Sequence, residues 1–197
     1  MRVKEQLEVL THQIIRARLY YDVWWFYAGD TTRPQIVDTL NDFSEFFRFD
    51  IHAHFVAMIV HCCTIVDGKR GTTCLQNLTR RPLLDPTRLA ADAEIVERAE
   101  KAVAAAEGLK KIRNEGIAHR SNVFDYSSAF KRAKLKPDNI PVLLREFLDL
   151  ANELRKKQNL PIADFTPLPL TDAMRLIHAL GGPDLRPTAI LDEIFRT

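Results

Sequence analysis

One short segment of the sequence carries the residue types that phosphate chemistry requires. The residues from Lys110 to Arg120 read KKIRNEGIAHR, in which five residues separate Arg113 from His119. A histidine takes or gives a proton near neutral pH, and an arginine presents a fixed fork of N–H donors that suits phosphate oxygens. The segment therefore contains the groups needed to cleave RNA without a metal ion.

Metal-free RNA cleavage places a separate demand on each of these side chains. A base must remove the proton of the 2′-hydroxyl, a donor must stabilise the charge that develops on the phosphate, and the leaving 5′-oxygen must receive a proton. We predict that His119 is the general acid/base and that Arg113 and Asn114 bind and stabilise the phosphate. The remaining basic side chains of the segment are predicted to bind flanking phosphates without sequence preference: Lys110, Lys111 and Arg120.

The spacing of Arg113 and His119 constrains how the two side chains act together. At about 100° per residue they differ by roughly 120° around a straight helix, so one regular helix does not direct both at the same phosphate. Gly116 lies between them and permits a local distortion. The other solution is a two-fold dimer in which two half-sites build one cleft. The apolar stripe that continues through Leu109, Ile112, Gly116 and His119 favours the dimer.

The string IRNEGIAHR resembles the signature of the HEPN superfamily (higher eukaryotes and prokaryotes nucleotide-binding domain), in which an arginine and a histidine lie four to six residues apart. It is similar in more detail to the HEPN domains of AbiU-type abortive-infection proteins. The likeness is strong over residues 108–121, weaker over the preceding helices with their Trp24-Trp25-Phe26 block, and does not extend beyond about residue 160. The resemblance implies a homodimeric ribonuclease of the abortive-infection or toxin type, with the motif at the dimer seam.

Asp67 is a candidate supporting residue of the same site. It follows the predicted third helix, and an acid at the C-terminal end of a buried helix meets the unfavourable end of the helix dipole. Such a carboxylate needs a cationic partner. The HEPN resemblance implies that this partner is Arg113, which Asp67 would orient.

The elements that must position this segment are helices. Residues 3–28 contain neither glycine nor proline and predict a long first helix, which the stretch from Gly29 to Pro34 ends. Apolar residues at helical spacing predict further helices over about 34–48, 50–67, 86–119 and 140–158. The sequence has no strand alternation and no glycine-rich phosphate loop. We therefore predict an all-α, up-and-down helical bundle (HEPN-like) with a short helical C-terminal extension.

The chain is predicted to have two parts, a HEPN-like helical domain at 1–158 and a proline-rich strap with short helices at 159–197. Three prolines fall within residues 159–170, and two short tail helices are predicted at 171–180 and 187–196. Residues 69–84 are predicted to be irregular, with at most one short helix near Cys74–Leu78.

Composition and charge limit the classes of protein that fit this sequence. Hydrophobic residues make up 46% and charged residues 27%, as in folded, soluble proteins. The net charge of +2 is too small to mark a nucleic-acid binder. Residues 108–136, however, carry eight basic side chains against only Glu115 and Asp125. This local positive field attracts phosphates, although a solvated basic face is the ordinary alternative.

The cysteines and the apolar stretches predict a cytoplasmic protein. Cys62, Cys63 and Cys74 are odd in number and form no CxxC pair, which fits a reducing compartment better than a disulfide framework. The N-terminal residues do not resemble a signal peptide. The longest apolar run, residues 55–66, suits a buried helix rather than a membrane span.

The other chemically capable side chains have ordinary structural explanations. His52, His54 and His61 lack a carboxylate or CxxC that would complete a ligand set, so we predict core histidines, no metal site and no cofactor. The block Trp24-Trp25-Phe26 is predicted to belong to the core, with base stacking as the alternative.

The functional prediction is a metal-independent endoribonuclease that acts on RNA as a homodimer, with room for a neutralising antitoxin as a partner. Two alternatives stay open. One is a non-catalytic HEPN-fold module that binds RNA, a nucleotide or a protein partner. The other is a structural dimer in which the motif only packs helices.

Overall fold

The computed structural model describes residues 3–68, 72–80, 93–118 and 125–185. All regular secondary structure within these ranges is helical, which confirms the predicted all-α class. In chain order the elements are α1 (Val3–Ala28), α2 (Arg33–Asp42), α3 (Ser44–Val66), α4 (Leu75–Arg80), α5 (Ala93–Ala105), α6 (Glu107–Ile112), a π-helical segment (Arg113–Ala118), α7 (Tyr126–Ala133), α8 (Asn139–Lys157) and α9 (Leu168–Ala179).

The chain divides into two compact units, each assembled from separated stretches. Unit 1 comprises Met1–Ala17 and Ile59–Asp164, and unit 2 comprises Arg18–Met58 and Phe165–Thr197. The helices α1 and α3 each contribute to both units. The domain division at residue 158 coincides with neither boundary and stays a prediction.

The first and the fifth predicted helices have the expected bounds. Helix α1 covers residues 3–28, and α8 covers 139–157 against a predicted 140–158. The stop of α1 depends on Gly29, whose N–H donates to the Trp25 carbonyl at 2.7 Å. A Cβ at this position would lie 2.6 Å from the same oxygen, so a residue without a side chain is required.

The boundary between α2 and α3 differs from the prediction. The sequence predicts helices at 34–48 and 50–67, whereas α2 ends at Asp42 and α3 begins at Ser44. The break is at Phe43, whose φ of −119° and ψ of 39° are not helical. Neither glycine nor proline lies at this position. The apolar periodicity continues through the break, so the local sequence does not indicate that a helix ends here.

Helix α3 has the length and apolar composition of a membrane-crossing helix, a property that core helices of soluble proteins share. Of its most apolar stretch, 44% is buried inside the protein. Phe46, Phe49 and Val60 are exposed, whereas Phe55, Met58 and Cys62 are fully buried. The cytoplasmic location stays a prediction.

The fourth predicted helix is not one continuous α-helix. Its first residues, 86–92, lie outside the described part of the chain, and the remainder is divided into α5, α6 and the π-helical segment. The first division falls at Ala106, which separates α5 from α6. Two residues later, a Cβ at Gly108 would lie 2.9 Å from the Ala133 carbonyl oxygen. The missing side chain at Gly108 allows α6 to pack close to α7.

Helix α7 was missed by the periodicity argument. Its N-cap is Asp125, whose carboxylate accepts hydrogen bonds from the backbone N–H groups of Ser127 at 3.1 Å and Ser128 at 3.2 Å. Only Ala129 and Phe130 among its residues are buried. An eight-residue helix with so short an apolar face gives little periodic signal, and the capping residue was the available clue.

The core of unit 1 forms where α5 packs against α4 and α8, and where α6 packs against α7. Buried Arg155 of α8 connects this core to α1 and to the proline-rich stretch that follows α8. Its Nε donates to the Pro161 carbonyl at 2.7 Å, and its Nη1 contacts Thr11 Oγ1 at 3.3 Å and Glu8 Oε2 at 3.1 Å. These contacts supply the several acceptors that a buried guanidinium needs, and they anchor Pro161 to the bundle.

Unit 2 has an aromatic core. Trp24, Phe26 and Phe55 are at most 2% exposed, and the Trp24 and Phe55 rings lie 5.3 Å apart. This core also contains an ion pair, in which Arg18 Nε donates to Asp22 Oδ1 at 2.7 Å with both side chains 2% exposed. Burial raises the pKa of Asp22 to about 6, although the Arg18 charge and hydrogen bond lower it.

Candidate functional site

Unit 1 contains every described member of the predicted site. Asp67 directly follows the last residue of α3, and Arg113 and Asn114 begin the π-helical segment. Arg113 Nη1 lies 3.6 Å from Asp67 Oδ2, and the two side chains are 30% and 26% exposed. The structure therefore forms the contact that the HEPN resemblance implies, between residues far apart in the sequence. The catalytic role of the pair stays a prediction.

A second contact restrains the Arg113 guanidinium. Its Nε donates to Asn114 Oδ1 at 3.2 Å. A guanidinium carries five N–H donors, so these two contacts leave donors for a phosphate. Because Asp67 and Asn114 restrain Arg113, the guanidinium group has a defined orientation. The side chain nevertheless stays partly exposed to solvent.

Cys63 lies beneath this charged cluster, one helical turn before Asp67. Its side chain is fully buried, and burial raises the pKa of the thiol to about 11. The positive charges of Arg113 and Lys110 lower this pKa but do not offset burial. The thiol is therefore protonated at neutral pH and is not a nucleophile. This agrees with its interpretation as a packing residue.

Lys110 and Lys111 are both engaged with the protein. Lys110 Nζ lies 2.7 Å from Glu107 Oε1, and the lysine side chain is only 24% exposed. Lys111 Nζ donates to the Arg132 carbonyl at 3.0 Å, and it lies 3.9 Å from Glu115 Oε1. Lys111 therefore ties α6 to the C-terminal turn of α7. The predicted binding of flanking phosphates by these lysines stays a prediction.

The motif residues adopt a π-helical conformation from Arg113 to Ala118. A π-helix has i→i+5 hydrogen bonds, is wider than an α-helix, and occurs frequently at functional sites. The spacing of 100° per residue therefore does not apply to this segment. A local distortion at Gly116 was one of the two solutions that the spacing left open, and the π-helical segment contains that residue.

His119 and Arg120 lie outside the described residues. Their roles as general acid/base and as a phosphate contact stay predictions. The described part of the site accordingly comprises Asp67, Arg113 and Asn114, and their role in phosphate binding stays a prediction.

Two residues of the apolar stripe that favoured a dimer, Leu109 and Ile112, face the interior of the protein. Leu109 is fully buried and Ile112 is 2% exposed within the single chain. Ala99, Ala102 and Val103 of α5 are buried in the same way. Leu109 and Ile112 therefore do not support a dimer interface, because the chain's own core covers them. The homodimer itself stays a prediction.

The histidines considered as metal ligands have other partners. His54 Nδ1 lies 2.9 Å from the Asp50 carbonyl oxygen and 3.4 Å from Asp50 Oδ1. Burial opposes its protonation, but the contacts with Asp50 raise its pKa overall. His61 forms a hydrogen bond with the side chain of Gln13. Within the described ranges, no three His, Cys, Asp or Glu side chains form a group that could hold a metal ion.

The comparison with family descriptions gives one match. The AbiU2 family of HEPN domains (HEPN_AbiU2) matches residues 2–156, which is most of the chain. No curated protein and no solved structure matches the chain significantly. The match includes the whole IRNEGIAHR segment and the residue that contacts it, Asp67. The chain therefore belongs to the AbiU2 family of HEPN domains.

Proposed function

We propose that the protein is a metal-independent endoribonuclease of the abortive-infection type. The observation that carries this proposal is that the Arg113 guanidinium contacts both Asp67 and Asn114 while 30% of the Arg113 side chain stays exposed. A guanidinium fixed before the reaction stabilises developing phosphate charge without reorganisation. His119, which follows in the same sequence motif, supplies the proton transfers.

The proposed reaction is a transesterification within the RNA. Neutral His119 removes the proton of the 2′-hydroxyl, and the 2′-oxygen attacks the adjacent phosphorus. The bond from phosphorus to the 5′-oxygen breaks, and this oxygen takes a proton from an imidazolium. The products are a 2′,3′-cyclic phosphate and a 5′-hydroxyl. Arg113 and Asn114 bind the phosphate oxygens during the step, and Asp67 acts as a positioning residue through Arg113.

We further propose that the active species is a homodimer. The support is the HEPN resemblance and the chemical use of two histidines, one as base and one as acid. In a two-fold assembly, a second copy of the motif would supply the second imidazole. Light scattering of the purified protein measures the mass directly, and a monomer that cleaves RNA would overturn this part of the proposal.

Cleavage of RNA by the purified protein in EDTA tests the main proposal. The substrates are a mixed tRNA pool and a single-stranded RNA, and wild type is compared with His119→Ala and Arg113→Ala. Loss of the general acid/base is expected to lower the rate by about 10²–10⁴. Loss of the charge-stabilising donor is expected to lower it by about 10²–10³. His12→Ala is the matched control, because His12 is an exposed histidine of α1 in the same unit.

The chemistry of the ends gives an independent readout. Fragments should carry a 2′,3′-cyclic phosphate that acid treatment opens. Cleavage that survives in His119→Ala would reject the assignment. RNA binding without any cleavage by wild type would instead support the non-catalytic HEPN module. Growth arrest on expression of wild type, but not of His119→Ala, is expected for a toxin, and co-expression of a neutralising antitoxin should relieve it.

A further inference from the structure

Basic side chains occupy the last turn of α7 and the residues directly after it. Lys131 and Arg132 belong to that turn, Lys134 is the C-cap in the left-handed conformation with φ of 54°, and Lys136 lies two residues further on. All four side chains are exposed. Arg132 is partly neutralised, because its Nε lies 3.4 Å from Glu115 Oε2. Within the described ranges, the other three form no ion pair.

These three lysines, Lys131, Lys134 and Lys136, are called here the α7 lysine strip. The strip is fixed next to the helix that carries the motif. Lys111 Nζ of α6 donates to the Arg132 carbonyl, and the close approach at Gly108 leaves no room for a side chain against Ala133. The end of α7 therefore cannot move freely with respect to α6.

The strip and the site are also connected through Glu115. This residue belongs to the π-helical segment, two positions after Arg113, and it pairs with Arg132. The end of α7 therefore lies next to the π-helical segment that begins with Arg113.

The lysines of α6 and those of the α7 lysine strip differ in their contacts with the rest of the protein. Lys110 is paired with Glu107, and Lys111 holds α7 in place, so the lysines nearest the motif have structural partners. The side chains of the α7 lysine strip have no such partner within the described residues. Lysine ammonium groups on flexible stems bind phosphates as point charges and read no base sequence.

We propose that the α7 lysine strip binds the sugar–phosphate backbone of single-stranded RNA beside the candidate site. The proposal rests on the proposed function in taking RNA as the ligand, but it does not require cleavage. Each phosphate contact to single-stranded nucleic acid releases about 0.7 counterion, so affinity falls steeply with salt. The strip predicts about three such contacts, which would hold a long substrate without selecting its sequence.

The test measures RNA affinity against salt concentration in the His119→Ala background, in EDTA, with a fluorescent single-stranded RNA. The strip variant carries Lys131→Gln, Lys134→Gln and Lys136→Gln, which remove charge and keep the stems. The control variant carries Lys4→Gln, Lys156→Gln and Lys157→Gln. These three are exposed lysines of the same unit, so the net charge of the two variants is equal. Thermal unfolding confirms that both variants are folded.

The strip variant is expected to lose about 2 from the slope of log affinity against log salt, roughly 0.7 for each of three contacts. At 0.1 M salt this corresponds to a loss of affinity of about 10- to 100-fold. The control variant is expected to keep most of the slope. Equal losses in both variants, no RNA binding by the parent protein, or binding only to anionic lipid vesicles would overturn the proposal.

The outcomes separate this inference from the proposed function. Cleavage by the His119-intact protein with an unchanged KM in the strip variant would reject the strip and leave the ribonuclease standing. Strip-dependent RNA binding without cleavage by wild type would reject the ribonuclease and support the strip.

Discussion

The contact between Asp67 and Arg113 gives the sharpest prediction about the candidate site. Their atoms lie 3.6 Å apart, and the side chains are 26% and 30% exposed. At an effective dielectric constant of about 20, this distance corresponds to an attraction of about 4–5 kcal/mol before desolvation. Fully exposed pairs contribute about 0.2–1 kcal/mol in practice. For this partly buried pair we expect a net coupling of about 1–2 kcal/mol.

A double-mutant cycle measures this coupling. Urea unfolding of Asp67→Ala, Arg113→Ala and the double variant gives three changes in the free energy of unfolding, and their non-additivity is the coupling. The pair of Glu115 and Arg132 is the matched control. Its atoms lie 3.4 Å apart, but its side chains are 44% and 54% exposed, so its coupling should be at most about 0.5 kcal/mol.

The same cycle has a functional readout if the protein cleaves RNA. A positioning role for Asp67 predicts that Asp67→Ala lowers kcat/KM by about 5- to 30-fold, the equivalent of a coupling of 1–2 kcal/mol. It also predicts that Asp67→Ala has little further effect in the Arg113→Ala background. Additive effects on stability within about 0.3 kcal/mol, or a coupling no larger than the control, would refute the reasoning.

Two further predictions concern the framework. Gly108→Ala should lower the free energy of unfolding by about 1–3 kcal/mol, because the new Cβ would lie 2.9 Å from the Ala133 carbonyl oxygen. Urea unfolding measures this change. Because alanine is the better helix former, a gain in stability would contradict the prediction. The pKa of Asp22 is raised from 3.8 to about 6, so the folded state holds this proton more tightly than the unfolded state. The free energy of unfolding should therefore fall by roughly 1–3 kcal/mol as pH rises from about 4 through 6. The Asp22→Asn variant should lack this fall. If the variant shows the same fall, groups other than Asp22 cause the pH dependence.

The assignment of charged side chains shows where sequence reasoning reaches its limit. Lys110 and Lys111 stand beside Arg113 in the sequence and were predicted to bind phosphates. Lys110 pairs with Glu107, three residues earlier in the same helix, whereas tertiary packing gives Lys111 a backbone carbonyl of another helix. A sequence records that a side chain is charged, but only the folded chain determines which opposite charge or carbonyl it meets.

The sequence by itself determined the helical class, the bounds of α1 and α8, and the position of the motif within residues 110–120. These features depend on local signals, which are apolar periodicity, the glycine that stops α1, and the chemical identity of adjacent residues. The family likeness added the expectation that Asp67 meets Arg113.

Tertiary structure alone decided that the predicted fourth helix is divided at Ala106, that Arg113 begins a π-helical segment, and that Leu109 and Ile112 are buried within the chain. It also decided that α7 packs against α6. The physical reason is that each of these features depends on the packing of helices distant in sequence. Periodicity shows which face of a helix is apolar, but it does not show which helix or which copy of the chain covers that face.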